Sequence, residues 1–146
     1  MKKTLTYVIV FTIIGLTLGI FYREATKYTN FYDSIGAKTA LAVAHTHTLI
    51  LGAVIPLLFG LVLHTAQRTL DDVKIPWLVY IIGTALTIVM ITTRGSLQVF
   101  DVSVSKGLDA AISGIAGIGH ALVGVGLVWL LFKLASFFKN KEEVDI

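Results

Sequence analysis

Residues 40–64 read ALAVAHTHTLILGAVIPLLFGLVLH, a run of 25 residues without a lysine, an arginine or an acid. At about 1.5 Å of rise per residue, such a run is long enough as a helix to cross a hydrocarbon core about 30 Å thick. In lipid a lone segment must satisfy its backbone polar groups internally, so the run reads as a helix. Pro56 lies inside it, and a membrane helix accommodates the proline with a bend about one turn earlier, near Gly52.

Working outward, three more apolar runs lie near residues 5–22, 75–95 and 110–134, and the run quoted above, taken as 40–65, is the second of four spans. The expected fold is an all-α integral membrane four-helix bundle in a single domain, residues 1–146. Composition agrees. Hydrophobic types make up 55% of the 146 residues and charged types 14%, more apolar surface than a soluble domain of this size can hide. The absence of cysteine excludes disulfides, thiolate metal sites and a cysteine nucleophile. The net charge of +3 is small and no basic-aromatic surface points to nucleic acid, so the partner that composition implies is the lipid bilayer.

Met1-Lys2-Lys3 before an apolar run has the outline of a signal peptide. Phe21-Tyr22-Arg23-Glu24 lacks the small residues a signal peptidase needs, and Tyr22 suits an interfacial anchor, so a retained helix is expected. The link after it carries Tyr28, Phe31 and Tyr32, aromatics that place it on the membrane surface. Pro76 and Trp77 open the third span, where proline is allowed in the first turn. Lys2, Lys3, Arg68, Lys74, Lys133, Lys139 and Lys141 fall on the side of the termini, and Arg23, Lys27, Lys38, Arg94 and Lys106 on the other. This modest bias places both termini in the cytoplasm and the two longer links outside.

Ionisable side chains inside spans are costly unless paired or liganded, which singles out His45, His47, His64, His120 and Arg94. His45 and His47 are two apart and point about 200° from each other on a regular helix. The face of His45 also holds Thr48, Gly52 and Pro56. That of His47 holds Leu51, Val54, Leu58 and Leu61, which favours His45 as the inward residue. An unwound start to the span would exchange them. His120 has Gly117 three residues before it and Gly124 four after, so a flat macrocycle could lie against bare backbone there. The same spacing of small residues also suits close helix packing, with the histidine bonded to a neighbour. His64, beside Gln67 and Arg68, reads as interfacial. Arg94, one turn from Gln98, either reaches up to headgroups or neutralises an acidic group of a cofactor. The spans hold no acidic pair, serine elbow, HExxH or Walker loop, so nothing supports a hydrolase.

Four stretches together look like an uncharacterised family of small four-span bacterial membrane proteins: Tyr22-Arg23-Glu24, His45-Thr46-His47-Thr48-Leu49-Ile50-Leu51-Gly52, Arg94-Gly95-Ser96-Leu97-Gln98-Val99 and Gly117-Ile118-Gly119-His120. That resemblance covers nearly the whole chain and brings no assigned function. The His-x-His start of the second span, with its following apolar run, more weakly resembles the second helix of haem-copper oxidase subunit I and its short four-span relatives. This resemblance implies haem b ligated by His45 or His47 and by His120, with Arg94 at a propionate. The chain departs from the oxidase pattern in lacking further histidines for a copper-haem centre, a Tyr-His cross-link and an obvious proton channel.

The leading expectation is therefore a haem-b-binding bundle acting in electron transfer or haem sensing and handling, in a bacterial cytoplasmic membrane. Its ligands are His120 and His45 or His47, beside Gly117, Gly124 and Arg94. Against it stands depth, because His120 lies near the middle of the fourth span and His45 close to the outer start of the second, a difference of roughly 9–12 Å. One alternative is a copper or zinc site on His45, His47 and His120. Another is a non-catalytic accessory or small transport subunit whose histidines bond between helices. A protein partner would be a redox partner or a second copy of the chain.

Overall fold

The computed structural model describes residues 1–34 and 38–142. Residues 35–37 of the first link, Gly36 among them, and 143–146 of the tail lie outside the described residues. The first span is α1, Lys2–Tyr28. It runs about two turns beyond residue 22 and stops at Asn30, whose φ of 49° is the left-handed conformation that asparagine tolerates. A short helix, α2 (Phe31–Ser34), follows and buries Phe31.

The second span is a composite of α3 (Leu41–Leu49), a π-helical turn over Ile50–Val54, and α4 (Ile55–Thr65). The bend expected near Gly52 takes this form, and Pro56 explains how it is held. In the wide turn each N–H bonds five residues back, as Ile55 N–H does to the Ile50 carbonyl. The next donor in that pattern is Pro56, which has no N–H, so the Leu51 carbonyl loses its partner. The Tyr80 hydroxyl, from the third span, donates to it at 2.7 Å.

Gln67, again in the left-handed region with a φ of 56°, ends the second span. Thr69 and Asp72 form a reciprocal cap, with Thr69 N–H and Oγ1 both donating to Asp72 Oδ2 at 2.8 and 3.0 Å. The cap opens a 3₁₀ turn, Leu70–Val73, that leads into α5, Lys74–Val99. The last helix, α6, covers Lys106–Glu142 and extends well past the apolar run at both ends. α1, the composite second span, the third with its 3₁₀ turn, and α6 are each long and apolar enough to cross a membrane.

The third span is the hinge of the packing. α5 packs along α6 on one side and against α3 on another, while α1 lies on α3, the π turn and α4. The α5–α6 seam is close because glycines line it. A Cβ at Gly83 would stand 2.5 Å from Val123 N, and one at Gly126 2.6 Å from Tyr80 N. Two apolar cores result. Phe59, Leu63, Val73, Tyr80, Leu130 and Leu134 fill the end that carries the termini, and Ala25, Phe31, Leu41, Ala44 and Val99 the end that carries the links. At the terminal end Lys3 pairs with Asp71 at 3.7 Å, and the Arg68 guanidinium lies 4.9 Å over the Phe137 ring.

Candidate functional site

α3 turns its two histidines to different sides. His45 faces α1, where its ring stacks with Tyr22 at 6.4 Å between centroids and its Cβ lies over Gly19. Tyr22 in turn bonds the Tyr32 hydroxyl. His47 faces α6, and its ring centroid lies 6.4 Å from that of His120 at an interplanar angle of 75°. The structure thus brings His47 and His120 together and sets His45 apart from them. His64, in the last turn of α4, is exposed at the terminal end.

The register of the spans explains the meeting. At the link end, Gly95 of α5 touches Leu41 of α3, and the neighbouring Arg94 bonds Ser113 of α6. The second and fourth spans run in the same direction from there. His47 lies six residues past Leu41 and His120 seven past Ser113, so the two come to similar depth. The depth gap read from sequence arises from starting the fourth span level with the second. α6 instead projects about two turns beyond α3.

Each of the two rings is tied to its own helix. His47 Nδ1 lies 3.0 Å from the Val43 carbonyl, and His120 Nδ1 lies 2.8 Å from the Ala116 carbonyl. A carbonyl only accepts, so in both rings Nδ1 carries the proton and donates. In the neutral imidazole this leaves the Nε2 lone pair uncommitted. A metal-ligating histidine is prepared in just this manner, with its second nitrogen fixed by a hydrogen bond. With metal–nitrogen bonds of about 2.0–2.1 Å, two imidazoles on one ion hold their centroids about 5–6.5 Å apart, and the observed spacing lies in that range. Among the described residues no three His, Cys, Asp or Glu side chains converge, so the pair stands without a third protein ligand.

The surface beside His120 is bare. A Cβ built at Gly117 or at Gly124 meets nothing within 4 Å. Both glycines lie within about 60° of His120 around α6, so they leave open backbone one turn to either side of the ring. Arg94 reaches the same face of α6 nearer the link end. Its Nη2 donates to Asp109 Oδ1 and to Ser113 Oγ, both at 2.6 Å. Asp109, Ser113, Ala116 and His120 follow one another along that face. The carboxylate that Arg94 meets in the structure is Asp109, in the first turn of α6, where a negative charge also suits the helix dipole.

The family model described as "Protein of unknown function (DUF2871)" matches residues 1–137. The chain belongs to this family. No curated protein and no solved structure matches it. The DUF2871 match spans all four stretches quoted for the four-span family, and the structure gives each a place. Tyr22 covers His45, the 45–52 stretch carries both histidines into the π turn, and Gly117 to His120 form the bare face of α6. Within 94–99, Arg94 clamps α6, Gly95 admits Leu41, and Gln98 Oε1 accepts the Ala40 N–H at 2.8 Å at the start of the second span.

Sequence reading placed Ser113 on the His120 face but passed over Tyr80 and Asp109. Pro56 lacks the N–H that a regular helix would give to the Gly52 carbonyl, and the π turn moves that deficit to Leu51. The spacing from Asp109 through Ser113 to His120 marks a polar stripe along one face of a membrane helix. Neither signal names the partner, because both partners come from α5. Arg94→Leu is expected to lower thermal stability by about 0.5–1 kcal/mol, the range for a half-exposed pair. Arg94→Lys should restore the stability only in part, because an ammonium does not reproduce the reach of the planar guanidinium to both Asp109 and Ser113. Unchanged melting in Arg94→Leu would return Arg94 to a headgroup contact.

Proposed function

We propose that this DUF2871 protein binds haem b in the membrane between His47 and His120, and serves electron transfer or haem handling in a bacterial cytoplasmic membrane. The observation that carries the reading is the pair of imidazoles on two spans, each fixed through Nδ1 and 6.4 Å apart between ring centroids. A haem brings four equatorial nitrogens of its own, so two protein ligands complete its coordination, and it supplies one-electron chemistry at its iron. Gly117 and Gly124 leave room for a flat ring beside His120.

Two further points favour this reading over its rivals. A copper or zinc site on His45, His47 and His120 needs the first of these near the other two, and His45 is turned to Tyr22 on α1. Histidines acting only as glue between helices would bond across the seam, whereas both Nδ1 atoms bond carbonyls of their own helices. An imidazole nitrogen left without a partner inside a membrane is costly, and iron would relieve that cost. The test is the visible spectrum of protein purified from haem-replete cells. A Soret band, with sharp bands in the visible on reduction, is expected. A colourless preparation that takes up no added haem would contradict the proposal.

Orientation belongs to the same proposal. Lys2, Lys3, Arg68, Lys74, Lys133, Lys139 and Lys141 at the end bearing the termini support a cytoplasmic location for that end, with the His47–His120 pair nearer the outer face. Reporter fusions at Lys141 and within the 23–39 link should report opposite sides, with the Lys141 fusion inside. A tail reported outside would reverse this assignment.

A further inference from the structure

Between α1 and α5, on the half of the molecule nearer the links, runs an open groove of about 530 Å³. Its walls are apolar, with Ile14 and Leu18 on α1 and Val89 and Phe100 on or just past α5. Thr92, Thr93 and Ser96 of α5 also line it. Their hydroxyls set this helix apart. Elsewhere in the spans, Thr12, Thr17, Thr26 and Thr48 each donate at 2.8 Å to the carbonyl four residues back, which settles a hydroxyl inside a membrane helix. The Thr92 hydroxyl is buried and has no partner. Thr93 and Ser96 have no side-chain hydrogen bond among the described residues either. No charged side chain lines the groove.

We infer that this groove binds a neutral isoprenoid quinone, with a ring carbonyl accepting from the Thr93 or Ser96 hydroxyl and the tail lying along Ile14 and Leu18. The volume lies in the range that holds a ring and the first part of a tail. Hydroxyl donors without a charge recognise a carbonyl and leave a phosphate or carboxylate unpaired. A phospholipid's hydrocarbon would fill the apolar walls without engaging the hydroxyls, and its ester carbonyls are the competing acceptors that added phospholipid tests. Thr93 and Ser96 lie about 5–9 Å before the end of α5. The inference does not depend on the haem reading, because His47 and His120 do not line the groove.

The test uses full-length protein in phosphatidylcholine nanodiscs and an azido-benzoquinone with a short isoprenoid tail as a photoprobe. Label should concentrate on residues 88–97 and 14–18, be displaced by unlabelled quinone, and resist added phospholipid. Thr93→Val with Ser96→Ala removes the donors at nearly constant shape and should cut labelling roughly tenfold, the scale of one lost hydrogen bond. Val89→Trp, which fills the groove and keeps both hydroxyls, should cut it at least as much. Helical circular dichroism and elution volume confirm that each variant is folded. Label spread over all lipid-facing helices, displacement by phospholipid, or full labelling in both folded variants would each overturn the inference.

Discussion

Replacing His120 by alanine is expected to abolish the six-coordinate haem spectrum, and replacing His47 should do the same, while His45→Ala leaves the spectrum in place. The three histidines give this order because His47 and His120 face each other, whereas His45 stacks under Tyr22 on the other side of α3. Loss of one axial imidazole leaves the iron five-coordinate or lets the haem go, and either result moves the Soret band. His64→Ala, at the exposed end of α4, should be silent. Gly117→Leu gives the complementary result. Among the described residues nothing lies within 4 Å of a Cβ at residue 117, so the helix accepts the side chain without a clash. The leucine then fills the space beside the ligand, and haem uptake should fall at least tenfold while the melting temperature holds. A normal spectrum in both His120→Ala and Gly117→Leu would remove the site from this face of α6 and leave the glycines as a packing surface.

Gly95→Val should be the most damaging substitution outside the histidine pair. A Cβ at residue 95 would overlap the backbone N and Cα of Leu41, and backbone atoms cannot swing aside as a side chain can. Separating α5 from α3 also strains two bonds at the start of the second span. Thr39 Oγ1 donates to the Gly95 carbonyl at 3.1 Å, and Ala40 N–H donates to Gln98 at 2.8 Å. Overpacking of this kind costs about 1–3 kcal/mol, and the lost bonds place the expected value at the top of that range. Thermal unfolding followed by the fluorescence of Trp77 and Trp129 reads it. Gly114→Ala serves as the control, since nothing approaches that position, and alanine there should be neutral or slightly stabilising. Equal melting of Gly95→Val and wild type would mean that the second and third spans do not meet at residue 95.

The four spans were legible because each is a run of apolar residues of membrane length, a signal carried by composition alone. Their ends were less so. Lys27, Lys106 and Lys139 belong to helices that continue into polar sequence, where hydropathy falls but the helical hydrogen bonds persist. Pro56 announced a bend, yet its form as a π turn depends on Tyr80, a residue of the next span. At the site, sequence singled out His45, His47, His120, Gly117 and Gly124 as a set. The choice between His45 and His47 turned on which neighbour lies on which side of α3, and helical periodicity treats every flank alike. The apolar character of the His47 face argued for lipid or packing; Val54, Leu58 and Leu61 on it are exposed, and it is the His47 ring that meets α6, at His120. Arg94 was visible as a charge needing a partner, but Asp109 sits across a link of irregular backbone whose path no local pattern dictates.

The most direct test of the central claim is low-temperature electron paramagnetic resonance of the oxidised protein after titration with haem. The proposed site predicts saturation at one haem per chain and a low-spin ferric signal, as two axial imidazoles produce. That signal should be absent from His47→Ala and retained in His45→Ala. A high-spin signal in the wild type, or a low-spin signal that survives His47→Ala and disappears in His45→Ala, would contradict the assignment of His47 and His120 as the ligand pair.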